Sequence, residues 1–516
     1  MDMELQRVTL EGYCLVCDMM FAQEETLESI VPDAYPDISR IVSATGTVSL
    51  KDKDLGEGTL RMTGTAKVTV LYIPESRGPE GPEGQTPENE AAPRALEIAI
   101  PFQCAKDDPR FHSGGSVQAE IHASSADARA INPRKILVRV NLAVWAAAYE
   151  QESRELSCDI AGAEHNGLEK RLIPCKCYTI PEITEKVFTF SDVLRPPASK
   201  PEMEELMFFR TELGTLDAKF IGKKLVLKGD IQLSVLYRCG DGLSQARFEL
   251  PYSQILDLGD TTEEAEPDVT VILKRVDCHL MDGELEIEVE ALAQASLWAR
   301  RSLTLINDAY CISQPIEVER TPLRLCSMAE RSSRRESARM MCASDIPAKL
   351  VLDCNAALIS MASAPVDGGL EFSAQFHASV LYFSEDDALC AVDAVIPVSC
   401  RAALPEGAVC ACRCRPIGEA TAVPVTGGLE VRFEAEFFWN TVLDEQINCV
   451  TDIQPSAVPV TKVRPSVVIR RVGEGESLWD IAKSCGAAVG DICSANGLQS
   501  EEAASGTLLL IPTRRS

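Results

Sequence analysis

Twenty cysteines and five histidines are the residues of this 516-residue chain with the most chemistry to offer. A zinc ribbon needs two paired CxxC motifs, because four ligands must close a tetrahedron. Here Cys14 and Cys17 form a lone CxxC, Cys175 and Cys177 a CxC, and Cys410, Cys412 and Cys414 alternate. On a strand, that alternation puts all three on one face. The favoured reading is reduced thiols acting as small apolar residues. Metal binding and oxidative cross-linking in a durable assembly are the minor alternatives. His112, His122, His165, His279 and His377 are dispersed, with no cysteine or acidic companion at ligand spacing, and His112 and His122 read as surface residues. The chain has no HExxH, no phosphate-binding GxxxxGK[ST] and no GxSxG. A glycosidase would need two carboxylates set about a cleft. With 78 Asp and Glu residues, no pair stands out. The expectation is a protein that is not an enzyme and has no metal site or cofactor.

Charge and hydropathy narrow the partners. The formal net charge is −28, so nucleic acid and anionic membrane surfaces are poor partners. The acidity sits in the body, because from Ser466 onward there are five basic and six acidic residues. No apolar run reaches the roughly 18 residues of a membrane span. The longest candidate, Ile136 to Tyr149, is broken by Arg139 and Asn141. The opening MDMELQRVTLEGYC has no basic region followed by an apolar stretch, which implies no secretory signal and a cytoplasmic protein.

The elements that must position these residues repeat along the body. Tyr35 to Tyr72 and Lys200 to Tyr237 align without a gap: Pro36 with Pro201, Asp37 with Glu202, Leu60 with Leu225, Gly64 with Gly229, each closing on Val-Leu-Tyr. A diverged third copy runs from Gly369 to Val380-Leu381-Tyr382 and lacks the Pro-Asp opening. Ile98-Ala99-Ile100-Pro101-Phe102, Phe248 to Tyr252 and Val395 to Val398 follow as equivalent strands, and then a long strand with a tryptophan: Trp145, Trp298 or Trp439. The matched tyrosines, and likewise the matched tryptophans, should hold equivalent strand positions. Alternation such as Leu285 to Glu290 and Val431 to Glu436 predicts antiparallel strands with one wet face. The fold expected is mainly β, with three repeats built as antiparallel sandwiches or partial barrels. Pro36 and Pro201 predict short helices over Asp37 to Val42 and Glu202 to Phe209. Linkers are expected near Gln151 to Leu172, Ser327 to Met340 (with Arg331, Arg334, Arg335 and Arg339) and Gln454 to Pro465. A solvated loop is expected over Pro74 to Pro93. The resulting domains are 1–160, 173–325, 341–455 and 466–513.

The last of these has its own pattern. Val467 to Arg471 fits a strand and Val472 to Gly475 a turn. Ser477 can cap a helix, and Leu478, Ile481, Ala482 and Cys485 make one helical face that stops at Gly486. Val489, Ile492 and Cys493 mark a second helix, and Leu508 to Pro512 a closing strand. Glu476-Ser477-Leu478, Asn496-Gly497-Leu498 and the Gly506 strand resemble the LysM domain, a small βααβ module usually known for binding N-acetylglucosamine-containing glycans. Ser505 replaces that family's usual proline. The resemblance implies a groove with Gly475, Glu476, Ser477, Leu478 and Trp479 on one side and Asn496, Gly497 and Leu498 on the other. Trp479 lies beside the helical face but outside its pattern. That places its ring at the rim, either as a binding anchor or as cover for a small core.

The body repeats resemble the SPOCS domain of spore-coat proteins, through the Pro-Asp-Ile opening, the Gly before the closing strand, Val-Leu-Tyr and Ile-Pro-Phe. Several such copies followed by LysM is the layout of the SipL-like spore-coat morphogenetic proteins. That resemblance implies a scaffold in the mother-cell cytoplasm at the forespore surface, docking through LysM to a spore-coat basement-layer ATPase. A glycan-binding protein of cell wall or spore cortex, and more weakly a hydrolase targeted by LysM, are the alternatives.

Overall fold

Period-2 alternation becomes long strands in the computed structural model, which describes residues 4–75, 92–161, 167–240, 242–259, 265–456, 465–500 and 502–513. Before the C-terminal module the strands form three groups of six. The first group is β1 (Glu4–Ile30), β2 (Ile38–Gly56), β3 (Thr59–Pro74), β4 (Arg94–Asp107), β5 (Ser116–Asn132) and β6 (Lys135–Ala161). The second is β7 (Leu168–Leu194), β8 (Glu205–Ile221), β9 (Lys224–Cys239), β10 (Gly242–Asp257), β11 (Glu266–Met281) and β12 (Glu284–Cys311). The third is β13 (Ile316–Ala343), β14 (Ala348–Val366), β15 (Gly369–Ser384), β16 (Leu389–Ala403), β17 (Val409–Val425) and β18 (Gly428–Pro455).

Each group follows one plan. Its second, third and fourth strands form an antiparallel meander, while its sixth strand pairs with both the first and the fifth. The two sheets share one core, as Val68, Val70 and Ile98 do with Ile136, Val138 and Leu142. The expected mainly β fold is therefore built from face-to-face sheets. The first and sixth strands, 27 or 28 residues each, outrun their sandwiches. Their far halves make three two-stranded ribbons that pack on one another through Val8, Leu156, Cys177, Leu305, Leu325 and Cys449. A bridge from Tyr13 to Ile180 merges the first two ribbon sheets into one of six strands.

An apolar cluster and a charge cluster are among the further contacts that join the groups. Leu71, Leu236 and Leu381, the middle residues of the three Val-Leu-Tyr motifs, meet in one apolar cluster. The neighbouring tyrosines are buried in their own sandwiches and are equivalent in detail. Tyr72 donates its hydroxyl to Pro36 O, Tyr237 to Pro201 O and Tyr382 to Ile346 O, at 3.2, 3.0 and 3.3 Å, each reaching 36 residues back. The second contact is a buried charge cluster. Arg413 donates to Asp268 and Thr270 and stacks 4.3 Å over Trp145 and 4.7 Å over Phe438.

Several expectations are corrected. Residues 38–42 and 205–209 are strand, not helix. Pro36 and Pro201 sit in the approach to β2 and β8, where their carbonyls hold the tyrosine hydroxyls, and the residues that follow pair with β3 and β9. The segment 327–340 is not a linker but the middle of β13, hydrogen-bonded along β18. Its arginines serve both sides of that strand: Arg331 donates to Pro267 O of the second group, while Arg335 pairs with Glu436 and Arg339 with Glu430. Residues 151–161 continue β6, and 168–172 begin β7. Of the expected loop over Pro74 to Pro93, Pro74 ends β3 and residues 76–91 lie outside the described residues, as do residues 457–464 of the last linker.

The tryptophans are not equivalent either. Counted from the first buried residue of each strand, Ile136, Leu285 and Leu429, they fall at different positions. Trp439 packs on Phe372 at a centroid distance of 5.6 Å within its sandwich, whereas Trp145 and Trp298 lie together where repeats meet. His122 is half-buried rather than a surface residue. Its Nε2 lies 2.9 Å from Leu358 O of the third group, while exposed His112 faces Glu57.

Candidate functional site

The C-terminal module is β19 (Val467–Arg471), α1 (Leu478–Cys485), α2 (Val489–Asn496) and β20 (Leu508–Pro512), with β19 and β20 antiparallel. Its helices form for local reasons. Ser477 Oγ accepts the Asp480 N–H, and the Asp480 carboxylate reaches back to the Ser477 N–H, so a capping box starts α1. Gly486 and Gly497 close the helices at φ 63° and 65°, a left-handed conformation that costs a side chain 1–2 kcal/mol or so.

Of the expected groove residues, Gly475, Glu476 and Ser477 lie in the turn before α1, Leu478 and Trp479 begin α1, Asn496 ends α2, and Gly497 and Leu498 follow it. Gly475, at φ 72°, is exposed. Glu476 accepts the Gly473 N–H at 3.1 Å and pairs with Arg470. Asn496 clips the opposite loop to β20: its Oδ1 accepts the Leu510 N–H at 2.8 Å, and its Nδ2 donates to Leu510 O and Ile492 O. Thus Glu476, Ser477 and Asn496 all spend their polar atoms inside the module. What they leave for a ligand is backbone at Gly475 and Gly497 and the half-buried Leu498. Leu478 is buried in the module core with Ile481, Ala482 and Ile492.

Trp479 departs from the groove. It is buried, and its indole N–H donates to Asp308 Oδ2 of β12 at 2.9 Å. Its ring meets Tyr310 edge-on at 4.9 Å. Lys483 Nζ donates to both oxygens of Asp308 at 2.7 Å, and Tyr310 donates its hydroxyl to Ala487 O at 2.8 Å. Burial works to raise the Asp308 carboxyl, but the bonds from Lys483 and Trp479 hold it below its ordinary value. Asp308 and Tyr310 escape a sequence reading. Their one signal is a polar Asn307-Asp308 pair set between apolar Leu305-Ile306 and Ala309-Tyr310.

Elsewhere the cysteines behave as core. Cys412 and Cys414 share one buried face of β17 with half-buried Cys410, and burial pushes the Cys410 thiol up to about 11 and that of Cys354 up to about 12. Such thiols are poor nucleophiles. Among the described residues no three His, Cys, Asp or Glu side chains are grouped to hold a metal ion, and no helix is long and apolar enough to cross a membrane.

Residues 202–281 match the family model described as SipL, SPOCS domain, which spans β8 to β11. Residues 471–512 match the LysM domain. No curated protein and no solved structure matches the chain significantly. The two domain types associate the chain with sporulation and with peptidoglycan binding, and no enzyme family matches it.

Proposed function

We propose that this SipL-like protein, carrying SPOCS and LysM domains, is a non-enzymatic scaffold of endospore coat assembly and forespore encasement. It acts at the forespore surface in the mother-cell cytoplasm and docks through the LysM groove to the coat basement-layer ATPase. The observation that carries this reading is how the residues of the proposed groove are bonded. Glu476, Ser477 and Asn496 are committed to internal bonds, which leaves a surface of backbone and Leu498 rather than side-chain donors set out for sugar hydroxyls. A surface of that kind suits a protein segment. The second reading, a peptidoglycan or N-acetylglucosamine binder, is favoured by the LysM match.

One experiment separates them. Glu474 and Gln499 are exposed beside the two groove loops. Full-length protein and the Glu474→Arg/Gln499→Arg variant are titrated with the purified ATPase and sedimented with peptidoglycan. The scaffold reading expects capture of the ATPase, weakened about tenfold or more in the variant. Sedimentation with peptidoglycan that the variant abolishes, without ATPase capture, would replace it with the glycan reading.

A further inference from the structure

The contact between α1 and β12 has the construction of a specific joint. Asp308 is 6% exposed, and its carboxylate takes three bonds from the LysM domain: one from the Trp479 indole and two from the Lys483 ammonium. A buried carboxylate without such partners would be costly. Tyr310 and Ile312 belong to the same apolar cluster as Leu478, Ile481 and Ala482, so the end of β12 completes the core of the module. This face is distinct from the groove. Gly475 and Gly497 remain exposed while Trp479 is covered.

We propose that Asp308 and Tyr310 form a clasp that grips the LysM domain by Trp479, Lys483 and the Ala487 carbonyl. The clasp fixes the groove relative to the three sandwiches and removes Trp479 from the partner-binding surface. The LysM domain is therefore presented in one orientation rather than carried on a free tether. It has two faces with separate tasks, one for the body and one for the external ligand. Substituting Trp479 disturbs the joint first, so a loss of partner binding in such a variant reports undocking. The clasp does not depend on which ligand the groove takes.

The test uses the full chain and hydrogen exchange read by mass spectrometry. Asp308→Ala and Tyr310→Ala alter the body side of the joint and leave the module's own residues, capping box included, unchanged. Lys483→Ala alters the other side. Exchange over residues 478–485 should quicken about tenfold or more in Asp308→Ala and Lys483→Ala, as expected for losing a bond to a charged group, and in Tyr310→Ala, which loses the ring contact with Trp479 along with the bond to the Ala487 carbonyl, while residues 284–297 stay as in the wild type. If a body variant also quickens 284–297, the Lys483→Ala result decides. A second readout joins Asp308 to Lys483 with a zero-length carbodiimide, in a mixture of isotopically heavy and light protein. Only like-labelled pairs are expected. Unchanged exchange over 478–485 in all three variants, or mixed-label pairs showing that the grip is on a second copy, would overturn the clasp.

Discussion

A buried tyrosine hydroxyl in a β core must find an acceptor, and in each repeat it finds the same one. Tyr72, Tyr237 and Tyr382 are held by carbonyls 36 residues upstream, so each closes the start of its meander onto the middle strand. Tyr382 also meets Ser344 Oγ at 2.8 Å. Replacing Tyr72 or Tyr237 by Phe keeps the ring and removes only the bond. Each change should cost about 1 kcal/mol in urea unfolding, and Tyr382→Phe should cost more, since it removes the bond to Ser344 Oγ as well. Equal, negligible losses at all three would show that the bonds do not hold the repeats. The tyrosines are legible in the sequence because Val-Leu-Tyr recurs. Their partners are not, since a carbonyl has no residue type. Ile346 does the work of Pro36 without resembling it, which is why the third opening looks absent in the sequence. Asn496 is similar: its identity marks the LysM pattern, but its clip on Leu510 becomes visible only once β20 is in place.

At the scale of elements, alternation decides strands wherever one face is apolar, and it falls silent where neither is. β13 carries Arg331, Ser332, Ser333, Arg334 and Arg335 in sequence, so nothing in its composition distinguishes it from a linker. Pairing along β18 supplies the order that hydropathy does not. The two predicted helices fail for the converse reason. Glu-Met-Glu-Glu-Leu-Met has helical propensity, but such a preference is weak and pairing with β9 overrides it. Between elements of different repeats, specificity comes from paired charges. Arg210 of β8 binds Asp353 of β14 through both guanidinium nitrogens, at 2.8 and 3.2 Å, with side chains 11% and 8% exposed. Arg210→Ala leaves Asp353 with a hydrogen bond from the Gln245 amide and the charge of nearby Arg247. It should destabilise the chain by about 3 kcal/mol, whereas Arg210→Met with Asp353→Leu should recover most of that loss. Denaturant unfolding of the single and double variants measures both. A double variant as weak as the single one would mean that the pair is not an isolated bond but part of a wider network.

At the scale of the whole molecule, three sandwiches become one body through the apolar Leu71–Leu236–Leu381 cluster and the charge cluster at Arg413. The sequence shows that there are three copies, but not that copies touch, because a repeat carries no mark of its neighbour. Arg413 of the third repeat stacks on Trp145 of the first and bonds to Asp268 of the second, with Asn440 donating to Asp268 at 3.2 Å. Trp145 in turn donates to Asp18 at 2.9 Å. Burial raises the Asp18 carboxyl. At Asp268 burial pushes the same way, but Arg413 and Arg331 overcome it and hold the carboxyl below its ordinary value. A lowered folded pKa contributes stability that is present above the unfolded value, near about 3.9, and is lost as pH falls through the folded one. Arg413→Ala removes the main cause of that lowering and leaves only Arg331 and the Asn440 amide to oppose burial at Asp268. The loss should be about 3–5 kcal/mol at neutral pH. In the variant, Asp268 joins Asp18 as a carboxyl whose protonation favours the fold. The gap between wild type and variant should therefore be widest near neutrality and narrow as pH falls toward about 4, the unfolded carboxylate range. Urea unfolding of both proteins across that range measures it. A gap that stays constant with pH would mean that Arg413 joins the repeats by stacking on Trp145 and Phe438, not by neutralising Asp268.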